Sequence, residues 1–403
     1  MPATSPSGPL RGLRVFDLTR VLAGPTCTQM LADLGAEVIK IERPGAGDDT
    51  RGFAPPRMPG TGESAYFVGA NRNKYSVTLD IAKPEGQALA HELIAQCDIL
   101  VENFKVGALA KYGLGYTQLH AQHPGLIYCS ITGFGQTGPY APRPGYDSLI
   151  QAMGGVMSLT GEPDGMPQKV GVPVADLFAG LYGCIGVLAA LRHREATGQG
   201  QQIDIGMLDT HVAWLANQGM NYLATGENPP RLGNQHPNIV PYQVFATADG
   251  HVVLSIGNDP TFKRFCEAFA LTHLLEDARF ATNAARVTHR QLVTDTLTPV
   301  LGAHPTGWWI ERLEALKIGC GPINKLSQVF ADPQVIARGM VTELAHGAGV
   351  PVKVISNPVR LSETPVDYRL APPLLGEHTD AVLGERLGLD AAAIADLRAK
   401  GVI

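Results

Sequence analysis

The feature that most constrains this 403-residue chain is a strand, helix, strand alternation running through its first third. Arg14-Val-Phe-Asp-Leu18 reads as a strand, Gly24-Pro25 as a turn and Thr26 to Leu34 as a helix; Gly35 stops it before the strand Glu37-Val-Ile-Lys-Ile41. Tyr75-Ser-Val-Thr-Leu79, a helix over Pro84 to Gln96 and Asp98-Ile-Leu-Val101 repeat the order, and Leu126-Ile-Tyr-Cys-Ser-Ile131 extends it. Strands joined by helical crossovers lie parallel, so the spacing predicts an α/β fold built on a doubly wound parallel, Rossmann-like sheet. Such a sheet binds its ligand outside the carboxyl ends of its strands, here the loops after Leu18, Ile41, Val101 and Ile131.

From about residue 221 the texture changes. Asn228-Pro-Pro230 and His236-Pro237 punctuate a linker, and Gln243-Val-Phe245 and Val252-Val-Leu-Ser-Ile256 flank Asp249-Gly250 as in a hairpin. Helical stretches around Phe262 to Phe269 and Trp308 to Leu316 complete a smaller α+β domain over 221–327, leaving 1–220 and 328–403 to the large domain. The tail from Gly376 through Leu397 reads as two short helices, with Thr379 or Glu377 near the first cap.

Several function classes find no foothold. A net charge of -5 and a pI near 6.2 leave no basic field for a nucleic-acid partner. The six cysteines form no CxxC pair and read as buried thiols in a reducing compartment. Residues 1–10 show neither a signal-peptide core nor a transit-peptide pattern, which points to the cytoplasm. The most apolar stretch, Leu177 to Leu191, spans about 15 residues against the roughly 20 of a membrane span, and reads as a buried helix in a protein without a membrane partner. No Gly-x-Ser-x-Gly, Walker-A or His-Glu-x-x-His motif occurs, and His120 and His123 lack a second cluster with which to hold a metal. Gly133-Phe-Gly-Gln-Thr-Gly138 matches a dinucleotide fingerprint, but Pro139, Pro142 and Pro144 forbid the helix that would meet a pyrophosphate. Those glycines instead shape a loop that packs against something flat or narrow.

Lys40, Arg43, Arg51, Arg72, Lys74, Lys105 and Lys111 gather at or after the first strand ends. Solvated faces are the ordinary role of such charges, yet this rim also suits a ligand with several phosphates, such as a coenzyme A tail. Asp176, in Val172-Pro-Val-Ala-Asp-Leu-Phe-Ala-Gly180, stands where an N-cap is expected before the apolar helix. A carboxylate kept ionised there by helix amides is also an available nucleophile.

Arg20-Val-Leu-Ala-Gly-Pro25, Leu34-Gly-Ala-Glu-Val-Ile-Lys-Ile-Glu-Arg-Pro44, Asn71-Arg-Asn-Lys74, Leu100-Val-Glu-Asn-Phe104 and the flanks of Asp176 together resemble the class III CoA-transferases, the formyl-CoA transferase and CaiB/BaiF type. The likeness runs nearly end to end, through Ile256-Gly-Asn-Asp259 and Leu375-Gly-Glu-His-Thr-Asp380. It implies an interlocked homodimer with no cofactor beyond a coenzyme A thioester as co-substrate, moving CoA from an acyl-CoA to a small free carboxylic acid. Asp176 would carry anhydride and aspartyl-CoA thioester intermediates. Val21, Leu22 and Ala23 would contact the CoA arm, Arg43 and Lys74 would sit near the nucleotide part, Asn71 would also bind CoA, and Asn103, Phe104, Ala108 and Lys111 would line the same groove. Family resemblance also places Tyr146 beside the reacting carboxyl and Gly257-Asn258 in a covering loop. Where related racemases have Gly-His-Asp this chain has Gly145-Tyr146-Asp147, and a tyrosine with an ordinary pKa near 10 is a poor base at neutral pH. A CoA-binding protein without catalysis is the other alternative. The segments His236 to Tyr242, Gly321-Pro-Ile-Asn324, Asp332-Pro-Gln334 and Arg338-Gly-Met340 resemble the succinyl-CoA:glutarate branch, which implies dicarboxylates; Arg51, Arg72 and His236 are candidates to bind their second carboxylate.

Overall fold

The computed structural model describes residues 8–403. Most of the leader segment behind the cytoplasmic expectation lies outside the described residues. Six strands, β1 (Arg14–Asp17), β2 (Glu37–Glu42), β3 (Lys74–Thr78), β4 (Ile99–Glu102), β5 (Ile127–Thr132) and β6 (Gln202–Gly206), form one sheet in the order β3-β2-β1-β4-β5-β6. Every neighbouring pair is parallel, the doubly wound arrangement expected from the sequence. β6 escaped the sequence reading because Gln202-Ile-Asp-Ile-Gly206 alternates at a half-exposed edge and never forms an apolar run.

The two-residue period of the strands divides the core into two layers. Val15, Val38, Val101 and Cys129 join one cluster with Leu31 and Val187, while Phe16, Ile39, Leu100 and Tyr128 join another with Leu93 and Val382. Full burial of each aliphatic side chain contributes about 1.5–3 kcal/mol, so the sheet is a rigid platform for what its carboxyl edge carries.

The helix after β1 runs over Ala23–Asp33, so Gly24-Pro25 is its first turn and not a preceding loop. Proline is tolerated there because the first turn's N–H groups have no partner within the helix. The long apolar helix covers Val174–Thr197, 24 residues, which corrects the shorter estimate; its length and composition would permit a membrane crossing, and half of its most apolar window is buried in the chain. Three glycines explain that burial. A Cβ at Gly180 would stand 2.5 Å from the Ala23 carbonyl oxygen, one at Gly183 3.3 Å from Cys27 Sγ, and one at Gly186 2.8 Å from an Ile203 methyl. The helix therefore lies almost backbone to backbone on the Ala23–Asp33 helix, fixing the start of one against the start of the other.

The chain divides into two compact units: 8–155, 170–215 and 336–403 in one, 156–169 and 216–335 in the other. The expected second domain of 221–327 is thus longer at both ends and takes in an excursion, 156–169, that no composition shift marks. It holds a three-stranded sheet in which β7 (Tyr242–Ala246), β8 (His251–Ser255) and β9 (Gly319–Pro322) are antiparallel neighbours, with Phe245, Leu254, Phe265 and Trp309 in its core. The Gly-Cys-Gly-Pro of β9 carries no strand signal of its own. In the first unit, β10 (Val341–Ala345) and β11 (Pro351–Ile355) form a hairpin. The tail helices are Thr379–Leu387, with His378 at the N-cap position between Glu377 and Thr379, and Ala391–Ala399.

Candidate active site

Asp176 is the third residue of the Val174–Thr197 helix, whose N-cap, Pro173, offers no side-chain hydrogen bond. The expectation that Asp176 is itself the N-cap is corrected: the capping acceptor is Asp147. Its Oδ1 accepts the Ala175 N–H at 2.9 Å and its Oδ2 accepts from Gln151 Nε2 at 2.7 Å. Fully buried Gln151 in turn accepts the Val170 N–H at 2.9 Å. One carboxylate from the Asp147–Met153 helix thus fixes the turn that presents Asp176.

The glycine-rich loop after β5 has a packing role. A Cβ at Gly133 would fall 2.5 Å from Gly145 Cα, so two backbones cross where side chains cannot fit. The Gln136 N–H donates to both Asp204 oxygens, at 3.0 and 2.9 Å, which locks the loop to β6. Gly145-Tyr146-Asp147 is thereby seated beside Asp176, in agreement with the narrow neighbour expected for these glycines.

Burial pushes the Asp176 carboxyl up to about 7, with the Asp147 charge adding to the effect. A helix N-terminus contributes at most ~2 kcal/mol in favour of the anion, and a rise of this size corresponds to roughly 4 kcal/mol against it, so burial wins. The expectation of a carboxylate held fully ionised by helix amides is corrected accordingly. If the anion is the reactive form, kcat/KM for the thioester rises with pH and levels off above about 7. Asp147→Asn keeps an oxygen for the Ala175 N–H but removes the like charge; a pH profile of this variant is expected to show its inflection at lower pH.

Val21, Leu22, Ala23, Asn103, Phe104 and Tyr146 line one cleft with Asp176, bringing together most of the residues the sequence assigns to the arm of the ligand. Asn103 holds the β1 loop by accepting the Arg20 N–H at 2.9 Å and donating to the Arg20 carbonyl at 2.7 Å. Val21 adopts φ 69°, an unfavourable conformation for a β-branched residue, and its N–H donates to Asp48 Oδ1 at 3.2 Å. Arg20 and Phe104 also line a second cavity, which reaches Arg43, Leu79 to Ala82 and Tyr112. The two cavities form a groove along the carboxyl edge, with its reactive end at Asp176 and its far end beside Arg43. Lys111 lies next to that end with Nζ 4.6 Å over the Tyr112 ring, whereas Ala108 closes a turn onto Lys105 and lines neither cavity.

Four sequence candidates are used elsewhere. Lys74 is fully buried, donating to the Pro25 carbonyl and Asn71 Oδ1, both at 3.0 Å, beside Asp17 at 3.3 Å; burial lowers its pKa to about 8. Buried Asn71 also donates to the Phe67 carbonyl. Arg51 is paired with Glu42 at 2.7 Å and Glu63 at 3.0 Å, and Arg72 with Asp33 and the Ile355 carbonyl. These groups hold loops by pairing internally, since an unpaired buried charge is strongly unfavourable, so the assignments of Asn71 to CoA, of Lys74 to its nucleotide part and of Arg51 and Arg72 to a substrate carboxylate are corrected. His236, Gly257 and Asn258 belong to the second unit, where His236 stacks on Tyr242 at 5.2 Å and Asn258 caps the Asp259–Ala268 helix. His120 stacks on Tyr116 at 5.1 Å.

Sequence reasoning missed Asp147 as part of the site, and missed that Tyr66 feels its charges. Asp147 was visible only as the neighbour of Tyr146; the Tyr66 phenol is pushed up by burial and then by the Asp176 and Asp147 charges. No motif marks Tyr66.

The chain matches the model of CoA-transferase family III over residues 10–379 and belongs to that family of enzymes. It is 48% identical over 399 residues to a succinate–glutarate CoA-transferase of Agrobacterium fabrum, covering 96% of this chain and 97% of the relative. A human succinyl-CoA:glutarate CoA-transferase is 42% identical over 395 residues, covering 98% of this chain and 90% of the relative. The crystal structure of a CAIB/BAIF family protein from Brucella suis superposes with a TM-score of 0.83 at 47% identity, covering 94% of this chain and all of that one.

Proposed function

We propose that this enzyme transfers CoA from succinyl-CoA to glutarate through covalent intermediates on Asp176. The observation that carries the chemistry is the Asp176 carboxylate, on a rigid helix start, at the reactive end of the groove. The names of the relatives from Agrobacterium fabrum and Homo sapiens support the choice of acids.

Asp176 attacks the succinyl carbonyl; the C–S bond breaks, CoA thiolate leaves and a succinyl-aspartyl anhydride forms. The thiolate then attacks Asp176 Cγ, expelling succinate and leaving CoA as an aspartyl thioester. Glutarate attacks that thioester, releasing thiolate and forming a glutaryl-aspartyl anhydride, and thiolate attack on the glutaryl carbonyl yields glutaryl-CoA and restores Asp176. No net proton or electron is consumed, so the cycle calls on no cofactor besides the CoA thioester. The fixed turn at Ala175 keeps the carboxylate aligned through all four steps. An α-proton exchange would need a base where Tyr146 stands.

A homodimer in the cytoplasm, without a membrane, completes the reading. Leu181, Tyr182, Ile185, Val212 and Trp214 are exposed apolar side chains on or beside the core helix, a surface that a second subunit would cover. An acceptor screen with succinyl-CoA as donor tests the function: glutaryl-CoA forming in step with succinate is expected, and succinyl-CoA hydrolysis indifferent to glutarate would overturn it.

A further inference from the structure

The cleft at Asp176 carries three carboxylates, Asp49, Asp147 and Asp176, and three cations, Arg20, Lys105 and Arg143. A dicarboxylate reacting through one end brings its second negative charge into this acidic cleft. That charge requires a cation with free donors. Arg51 and Arg72 are buried in ion pairs and do not line the cleft. Arg20 lies 3.4 Å from Asp49, over the Phe104 ring, at the junction with the second cavity. Lys105, a single-point donor on a flexible stem, also lines another cavity behind Glu102.

Arg143 differs from both. Its guanidinium carbon sits 4.6 Å from the centre of the Tyr140 ring and 5.2 Å from that of Phe134, two rings that meet edge to face. Stacking restrains the guanidinium plane while leaving its N–H edges available; its one polar neighbour among the described residues is Met153 Sδ at 4.0 Å. It is also anchored close to the chemistry. Arg143 lies four positions before Asp147, on the segment whose backbone crosses Gly133 and whose carboxylate holds the turn of Asp176.

We propose that Arg143 is the specificity residue that binds the distal carboxylate of the dicarboxylic acyl group, by a bidentate contact from its exposed guanidinium edge. This rests on the dicarboxylate reading above. A fork fixed only by ring stacking receives either a two- or a three-methylene arm, because it is bound to no protein carboxylate that would set its reach.

The test compares glutarate with pentanoate, which has the same carbon count and a methyl group in place of one carboxylate, as acceptors from succinyl-CoA. The ratio of their kcat/KM values is read within one preparation, so it does not depend on the folded fraction. Arg143→Gln is expected to lower the preference for glutarate about 10- to 100-fold, chiefly through KM for glutarate, with Arg143→Lys in between. A wild-type preference that survives unchanged in Arg143→Gln, or that is lost in Lys105→Gln instead, overturns the assignment. Wild-type enzyme that does not distinguish the two acids overturns the dicarboxylate reading itself.

Discussion

Asp176→Ala is expected to lower CoA transfer by about four orders of magnitude or more, because the proposed covalent route loses its acceptor of the acyl group. Affinity for the thioester is expected to survive, since the groove walls at Val21, Phe104 and Arg43 stay in place. Steady-state kinetics and equilibrium binding on one preparation separate the two effects. The same site predicts a gain in stability. The folded state raises the Asp176 pKa from 3.8 to about 7, so it binds the proton more tightly than the unfolded chain does, and stability is lost as pH rises through that window. Asp176→Asn removes a penalty of up to about 4 kcal/mol at pH 8 and little at pH 4. Thermal unfolding is therefore expected to show a variant several degrees more stable than wild type at pH 8 and nearly equal to it at pH 4. A Tm lowered at both values would mean that the carboxylate is held by contacts that favour its charge.

Gly180→Val is the second large effect, and it acts at a distance from the reacting atoms. The new Cβ would meet the Ala23 carbonyl oxygen at 2.5 Å and Thr26 Cβ at 2.9 Å, obstacles that include rigid backbone. Separating the two helices costs about 1–3 kcal/mol. It also moves the turn of Asp176 away from Leu22 and Ala23, and a displacement near 1 Å at a reacting group costs on the order of 100-fold in rate. Both a lower Tm and a lower kcat are expected. Gly302→Ala supplies the comparison, since nothing lies within 4 Å of its added methyl group, and it is expected to change neither appreciably.

How much of this was legible in the sequence follows from which physical signals are local. β1, β2, β4 and β5 carry apolar residues that could be read directly, and β3, an edge strand of sequence Lys74-Tyr-Ser-Val-Thr78, was legible from its place in the alternation; β6, at the opposite edge, alternates without an apolar run and was not. Asp176 was legible through its flanks, but its electrostatics were not, because its pKa depends on burial and on Asp147, 29 positions away. The cations show the same limit. Lys74, Arg51 and Arg72 follow strand ends or precede a strand as ligand-binding residues do, and only the fold reveals that Asp17, Glu42 and Asp33 meet them in the interior. The three glycines of the Val174–Thr197 helix read as interruptions of an apolar run, whereas in three dimensions Gly180 and Gly183 let it pack closely on the Ala23–Asp33 helix beside the site and Gly186 packs on Ile203.

Turnover of succinyl-CoA with glutarate labelled in its carboxylates with heavy oxygen tests the covalent role of Asp176 most directly. Each cycle leaves one acceptor oxygen in the Asp176 side chain, so the peptide carrying Asp176 is expected to gain the label, and no other peptide is. Glutaryl-CoA formed by an enzyme whose Asp176 peptide stays unlabelled would contradict the account.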